Sequence, residues 1–339
     1  MQKDGRSKSG IDRIRESAGA MTVGDDSDGA IVSMATIENR LYAIKEGAVY
    51  AIAMADDIDP ERTREDIPNT VQKVFDVGAS SDIVQRLLLT GIELFRKNRL
   101  HERVDYEAAL NIIVEIMRDV LAAADICEEI DAALKRVDVA SLTSKERALA
   151  LPSVPGLRSK IKSFVQKMDH AMQSVFDLTC VFYDRVKLRK AGKWLDGFAN
   201  HLEGEQNLHS DFAAFARELA AFSKSVRNTR HCIEHPKPTQ QLTIVDFSLS
   251  AKAELVEPTI TVVHDTTPFD TSPVLEFMRY FIDQTVAGVE MLMVFLAGHH
   301  VAPLGGFEIG VGEVPEGQRQ LGVRYGYLAN FGGQLTKLS

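Results

Sequence analysis

The sequence predicts a mainly α fold of the α+β kind: helical bundles with a small antiparallel β element and a C-terminal β-hairpin. Three observations lead there. Apolar residues recur three and four apart through most of the chain, the mark of helices with one buried face. Two short β-branched runs, LTIVDFSL at 242–249 and TITVVH at 259–264, break that period. Beyond residue 306 the apolar pattern alternates every second residue, as strands do.

In chain order, residues 1–33 are rich in Gly, Ser and Asp and predict a flexible segment with little to bury. Residues 34–150 predict an N-terminal helical domain. Ile37, Leu41, Ile44, Ala48 and Ile52 form its first stripe, which Asp59-Pro60 ends. A second helix is expected near Pro68, with Val71, Val74 and Phe75 on one face. GASSD at 78–82 then supplies a break and a serine N-cap for a third. Tyr106, Leu110, Ile113, Met117, Val120 and Leu121 mark a longer helix, and Thr143 to Glu146 reads as a capping box opening a short one.

Two prolines and a glycine in LPSVPG, 151–156, mark the interior boundary. Residues 157–300 predict a second bundle with strands inserted at 242–264. Its helices are read from Ile161, Phe164, Met168, Met172 and Val175, then from Phe212, Phe215, Leu219, Phe222, Val226 and Ile233, and last from Leu275, Met278, Phe281, Ile282, Val289 and Leu292. Residues 301–339 predict the hairpin and a tail, with Phe307, Ile309 and Val311 on one arm, Leu321, Val323, Tyr325 and Tyr327 on the other, and VPEGQ as the turn.

Composition narrows the function classes. A net charge of −9 and a pI near 5.5 exclude a general nucleic-acid-coating surface and leave room for a local basic patch. Three scattered cysteines without a C-x-x-C pair fit a reducing cytoplasm and give no structural zinc site. The N-terminus lacks the apolar core of a secretory signal. The apolar stretch at 285–300 contains Glu290 and falls short of the roughly 20 residues that span a bilayer, so it reads as a buried helix. No membrane association is expected, and the location predicted is cytoplasmic. No Walker loop, dinucleotide fingerprint or nucleophile elbow appears, and no cofactor is expected.

The stretch with chemical content is SVRNTRHCIEHP, 225–236. Arg230 lies four residues after Val226 and three before Ile233, beside the apolar stripe rather than on the solvent face. An arginine so placed needs a partner, and Glu234, one turn on, is the local candidate. Arg227, His231 and Glu234 form a neighbouring polar stripe. Pro236 pushes His235 out of the helical region and sets its imidazole at the helix end. An imidazole that moves a proton near neutral pH, next to a fixed cation, suits phosphodiester chemistry. The candidate catalytic residues are therefore Arg230 and His235, with His231 and Arg227 assisting.

Neighbouring features read more plainly. His231 and His235 form an H-x3-H pair without the glutamate of a zinc-protease helix, so no metal site is expected. Cys232, among histidines and arginines, reads either as a thiol of lowered pKa or as packing. KLRKAGK, 187–193, is the densest basic run, either solvated surface or a place for RNA phosphates. His299-His300 close a helix whose dipole favours cations there.

Arg230-His231-Cys232-Ile233-Glu234-His235 resembles the R-x4-H signature of the HEPN superfamily, helical-bundle proteins many of which are metal-independent ribonucleases. The resemblance covers residues 157–300 in architecture and six residues in signature. It departs where His231 stands at the position of a common asparagine, and where Lys237 stands at that of a frequent tyrosine. The same spacing recurs at Arg96 to His101. The resemblance implies an endoribonuclease of toxin or defence type, acting on RNA as a homodimer, with His235 as general acid–base and Arg230 on the phosphate. The alternative is a non-catalytic helical module that binds a protein partner, which the acidic balance favours. The two part on whether Arg230 meets His235 in a wet cleft or a carboxylate in a dry one.

Overall fold

Between residues 31 and 75 the chain forms strands where the apolar spacing predicts helices, and this changes the fold class to α+β with substantial sheet. The structure is a computed structural model that describes residues 9–16, 21–38, 40–137, 144–145, 148–205, 210–303, 309–331 and 334–338. A short helix α1 (Gly10–Arg15) comes first, tied to the later chain by Arg62, whose guanidinium lies 2.8 Å from Asp12. Strands β1 (Ile31–Ile37), β2 (Arg40–Lys45), β3 (Val49–Ala53) and β4 (Thr70–Phe75) follow, with the short helix α2 (Ala55–Ile58) between the last two. They form one antiparallel sheet in the order β1-β2-β3-β4.

The prediction of helices at 34–58 and near Pro68 fails for a physical reason. Both faces of the central strands β2 and β3 are covered, while β1 and β4 at the edges stay largely exposed or half-buried. Ile37, Tyr42, Ile44, Val49, Ala51 and Phe75 face the main core, while Ala43, Ala48, Tyr50 and Ile52 face a smaller cluster closed by Val23. With both faces apolar, the two-residue alternation disappears from the sequence, and a helical spacing can be picked out of the run. The signals for strands were the β-branched and aromatic content and the Glu46-Gly47 turn, where the Lys45 amide donates to the Ala48 carbonyl at 2.9 Å. Gly78 lies so close to this hairpin that a Cβ on it would come within 2.2 Å of the Lys45 carbonyl oxygen.

Helices then dominate. Ser81 precedes α3 (Asp82–Val84), which runs through a π turn at Gln85–Leu89 into α4 (Thr90–Leu94). Asp105 caps α5 (Tyr106–Lys135) by accepting from the Ala108 amide at 3.0 Å. Where the capping box predicts a helix, Ser144–Lys145 (β5) pairs with Ala148–Leu149 (β6), and Thr143 and Glu146 lie outside the described residues. Next come α6 (Leu157–Phe182), α7 (Arg185–Ala191), α8 (Trp194–Glu203) and α9 (Ser210–Glu234). The pattern gave α6 and α9; α7 and α8 were missed, since each is short.

The inserted strands are as expected and more extensive. β7 (Gln240–Val245) pairs antiparallel with β10 (Thr259–His264), Ile244 opposite Ile260, and β11 (Phe269–Pro273) adds a third strand. A small pair, β8 (Ser248–Leu249) and β9 (Leu255–Val256), lies between them. The C-terminal strands β12 (Ile309–Glu313) and β13 (Tyr325–Phe331) pair with Val311 opposite Tyr327, and β14 (Gln334–Lys337) extends them to three. Leu321 and Val323 fall outside the strand, and Phe307 lies outside the described residues.

Helix α10 (Val274–His299) runs through the middle of all this, against α5, α6, α9 and β12. By length and composition it could cross a membrane, yet more than half of its apolar window is buried inside the protein. Glu290 on this helix is buried and ion-paired with Arg86 at 2.7 Å and with Arg324, joining α10 to the π turn and to the C-terminal strands. One continuous core runs from Ile37 to Tyr327, so the sheet region and the helical bundle share their interior. Val154 of the expected boundary is buried, and its amide is held by the Asp246 carboxylate at 3.0 Å.

Candidate functional site

The site to be judged lies on the last two turns of α9. Val226, Thr229 and Cys232 are buried against the bundle and fix which way the helix faces. Arg230 is then half-buried, 30% exposed, and its guanidinium is occupied: Nη1 donates to Asp169 Oδ2 at 2.6 Å, and Nε approaches Glu234 Oε1 at 3.1 Å. Asp169 comes from the buried face of α6 and is itself only 3% exposed. Its same oxygen accepts from Gln173 at 2.6 Å, and Gln166 reaches Glu234 at 3.5 Å. The Asp169 hydrogen bond and the Glu234 ion pair raise the Arg230 pKa further, and Arg230 in turn holds the Glu234 carboxyl below the usual range. A guanidinium with two carboxylates on it has little charge left for a phosphate.

His231 and His235 are both exposed, their ring centroids 6.3 Å apart. The His235 amide still donates to the His231 carbonyl at 2.8 Å, so the helical bonding runs one residue past the last assigned turn before Pro236 ends it. Neither imidazole has a carboxylate or hydroxyl hydrogen bond among the described residues, whereas a working general base is held by a third group. Among the described residues no group of three or more histidine, cysteine, aspartate or glutamate side chains is placed to hold a metal.

Cys232 is buried, its Sγ 3.6 Å from the Val263 carbonyl, and burial pushes the thiol pKa up. Of the two readings of Cys232, packing fits this environment and a thiol of lowered pKa does not. Below it lies a hollow of about 320 Å³ lined by Arg158, Lys162, Ile233, Pro236 and Leu242, which includes neither Arg230 nor His235. The second R-x4-H match is likewise taken up: Arg96 pairs with Glu93, and the His101 amide bonds to the His300 carbonyl.

Arg227, one turn earlier, meets a different environment. Its guanidinium sits 4.6 Å above the centre of the Trp194 ring, and burial lowers its pKa. Trp194, the first residue of α8, is 40% exposed and has φ +53°, an uncommon backbone for a bulky residue. The corner that presents it is tightly built. A Cβ on Gly197 would come within 2.4 Å of the Leu188 carbonyl oxygen, and Asn200 donates to the Ala191 carbonyl at 2.8 Å.

Sequence reasoning missed Asp169 and Trp194. Asp169 carried a signal, a carboxylate set among the buried residues of α6, but its partner 61 positions away could not be read from one sequence. No family model matches this chain, and neither a curated protein nor a solved structure matches it.

Proposed function

We propose that the chain is a non-catalytic interaction module, in which the arginine–histidine end of α9 is structural. The observation that carries this reading is the closure of Arg230 by Asp169 and Glu234. A phosphate-binding arginine must be free to exchange its partner for substrate, and this one would have to surrender a buried carboxylate to do so. The acidic balance of the chain also suits contacts with a protein partner better than a nucleic-acid coat.

The test is incubation of a mixed RNA pool, without added metal, with the wild type and with His235→Ala. We expect no cleavage above the protein-free blank from either. Cleavage by the wild type that His235→Ala loses would overturn the reading.

A second reading, the HEPN-like metal-independent endoribonuclease, is favoured by one observation. Arg227 has no carboxylate partner among the described residues, and His231 and His235 stand exposed on the same end of α9. In that case Arg227 rather than Arg230 would hold the phosphate, His235 would move the proton, and a second copy of the chain would complete the site.

A further inference from the structure

A hollow of about 270 Å³ lies at the α7–α8 corner, lined by Phe176, Arg189, Gly192, Lys193 and Trp194. Three features meet there. Trp194 supplies an exposed aromatic face with Phe176 against its edge, the ring centroids 5.7 Å apart. Arg227 closes one side of the indole as a stacked cation. Arg189 and Lys193 line the hollow, Lys190 follows Arg189 on α7, all three are exposed, and no carboxylate is paired with them or with Arg227 among the described residues.

The nearby carboxylates are already engaged. Asp184 caps α7 by accepting from the Val186 and Lys187 amides at 2.7 and 3.1 Å, Asp177 pairs with Arg185, and Asp196 faces Arg217 at 3.7 Å. Asp169, the buried acid nearest Arg227 in charge, is bound by Arg230. On a chain of net charge −9, this corner is a local excess of positive charge around an aromatic plane.

We propose that this corner binds single-stranded nucleic acid, one base stacking at Trp194 and the backbone phosphates lying on Arg189, Lys190, Lys193 and Arg227. Charge alone would suit an acidic peptide equally well. The preformed indole–guanidinium stack favours a ligand with a planar π-face, and every base has one. The cations come from three places, Arg189 and Lys190 on α7, Lys193 at the corner and Arg227 on α9, which suits a strand passing the indole better than a lone nucleotide. The inference goes beyond the interaction-module reading and does not depend on whether His235 cleaves anything, since binding is read without turnover.

Trp194 is the one tryptophan of the chain, so its fluorescence reports this corner directly. The full chain is titrated with single-stranded oligo(A) RNA of about fifteen nucleotides, within the usual site size. Binding is read by tryptophan quenching and by anisotropy of a fluorescein label on the RNA. We expect saturable quenching, and an affinity that falls by about tenfold or more in Trp194→Ala, read by anisotropy, with Trp194→Phe keeping most of it. Arg189→Glu and Lys193→Glu, on exposed positions that do not threaten folding, should weaken binding and each lower the salt slope by about one.

Absence of quenching at low salt overturns the proposal. So does equal affinity of wild type and the two charge-reversal variants. Equal binding of a duplex RNA or of poly-glutamate overturns it as well, because it would show that charge without stacking explains the contact.

Discussion

Arg227 and Arg230 lie three residues apart on α9, yet one is stacked on an exposed indole and the other is clamped by two carboxylates. The difference comes from what the neighbouring helices bring. Helix α6 places Asp169, nearly free of solvent, under Arg230, and α8 places Trp194 beside Arg227. The same side chain becomes a structural tie in one case and, in the other, a half-buried stacked cation with no carboxylate partner among the described residues. Whether an arginine is available to a ligand is thus decided by a residue far away in sequence.

Substitution tests this difference, and the largest effect should come from a buried carboxylate shared by two arginines. Glu290 is buried between Arg86 and Arg324, so Glu290→Gln, which leaves two cations under-compensated, should cost about 3–5 kcal/mol in urea denaturation. A loss below about 1 kcal/mol, the level of a surface pair, would show that such closure is not structural here. Asp169→Asn should come next, at about 2–3 kcal/mol, because Arg230 keeps Glu234 and some exposure to water. Arg227→Met should cost no more than about 1 kcal/mol, since it removes a cation–π contact at a partly exposed indole and no carboxylate pair. Equal costs for Asp169→Asn and Arg227→Met would erase the distinction.

A smaller effect should appear with pH. His300 is buried against Phe182 and Tyr183, with Nδ1 donating to the Leu296 carbonyl at 2.9 Å, and burial lowers its pKa. A depressed folded value means that the unfolded chain takes up the proton first. This contribution to stability is therefore complete above the ordinary imidazole value of about 6.5 and is lost as pH falls through the folded one. Denaturation midpoints should fall below about pH 6.5, and His300→Phe should flatten that part of the profile. An unchanged slope in the variant would assign the effect to other groups.

How much was legible follows the same line. The spacing along α5, α6, α9 and α10 revealed those helices, because each buries one stripe and leaves the other face wet. Strands β7 and β10 were legible from their β-branched runs and the break in helical period. Strands β2 and β3 were not, since two covered faces remove the alternation, and in β1 and β4 bulges at Val32 and Val74 interrupt it. At the site, the awkward place of Arg230 beside Val226 and Ile233 was readable, and so was Glu234 as its local partner. Asp169 was not, because helix pairing is a tertiary fact. Trp194 carries no such signal, because it directly follows the basic run KLRKAGK and opens the short helix α8.

The Asp169–Arg230 pair decides whether Arg230 is a structural tie, and a double-mutant cycle measures it. Asp169→Asn, Arg230→Met and the double variant are compared with the wild type by urea denaturation. We predict a coupling energy of about 1.5–3 kcal/mol, the value of a hydrogen-bonded ion pair with one partner buried. A coupling near zero would mean that Arg230 gains nothing from Asp169, and would return it to the list of arginines free to hold a phosphate.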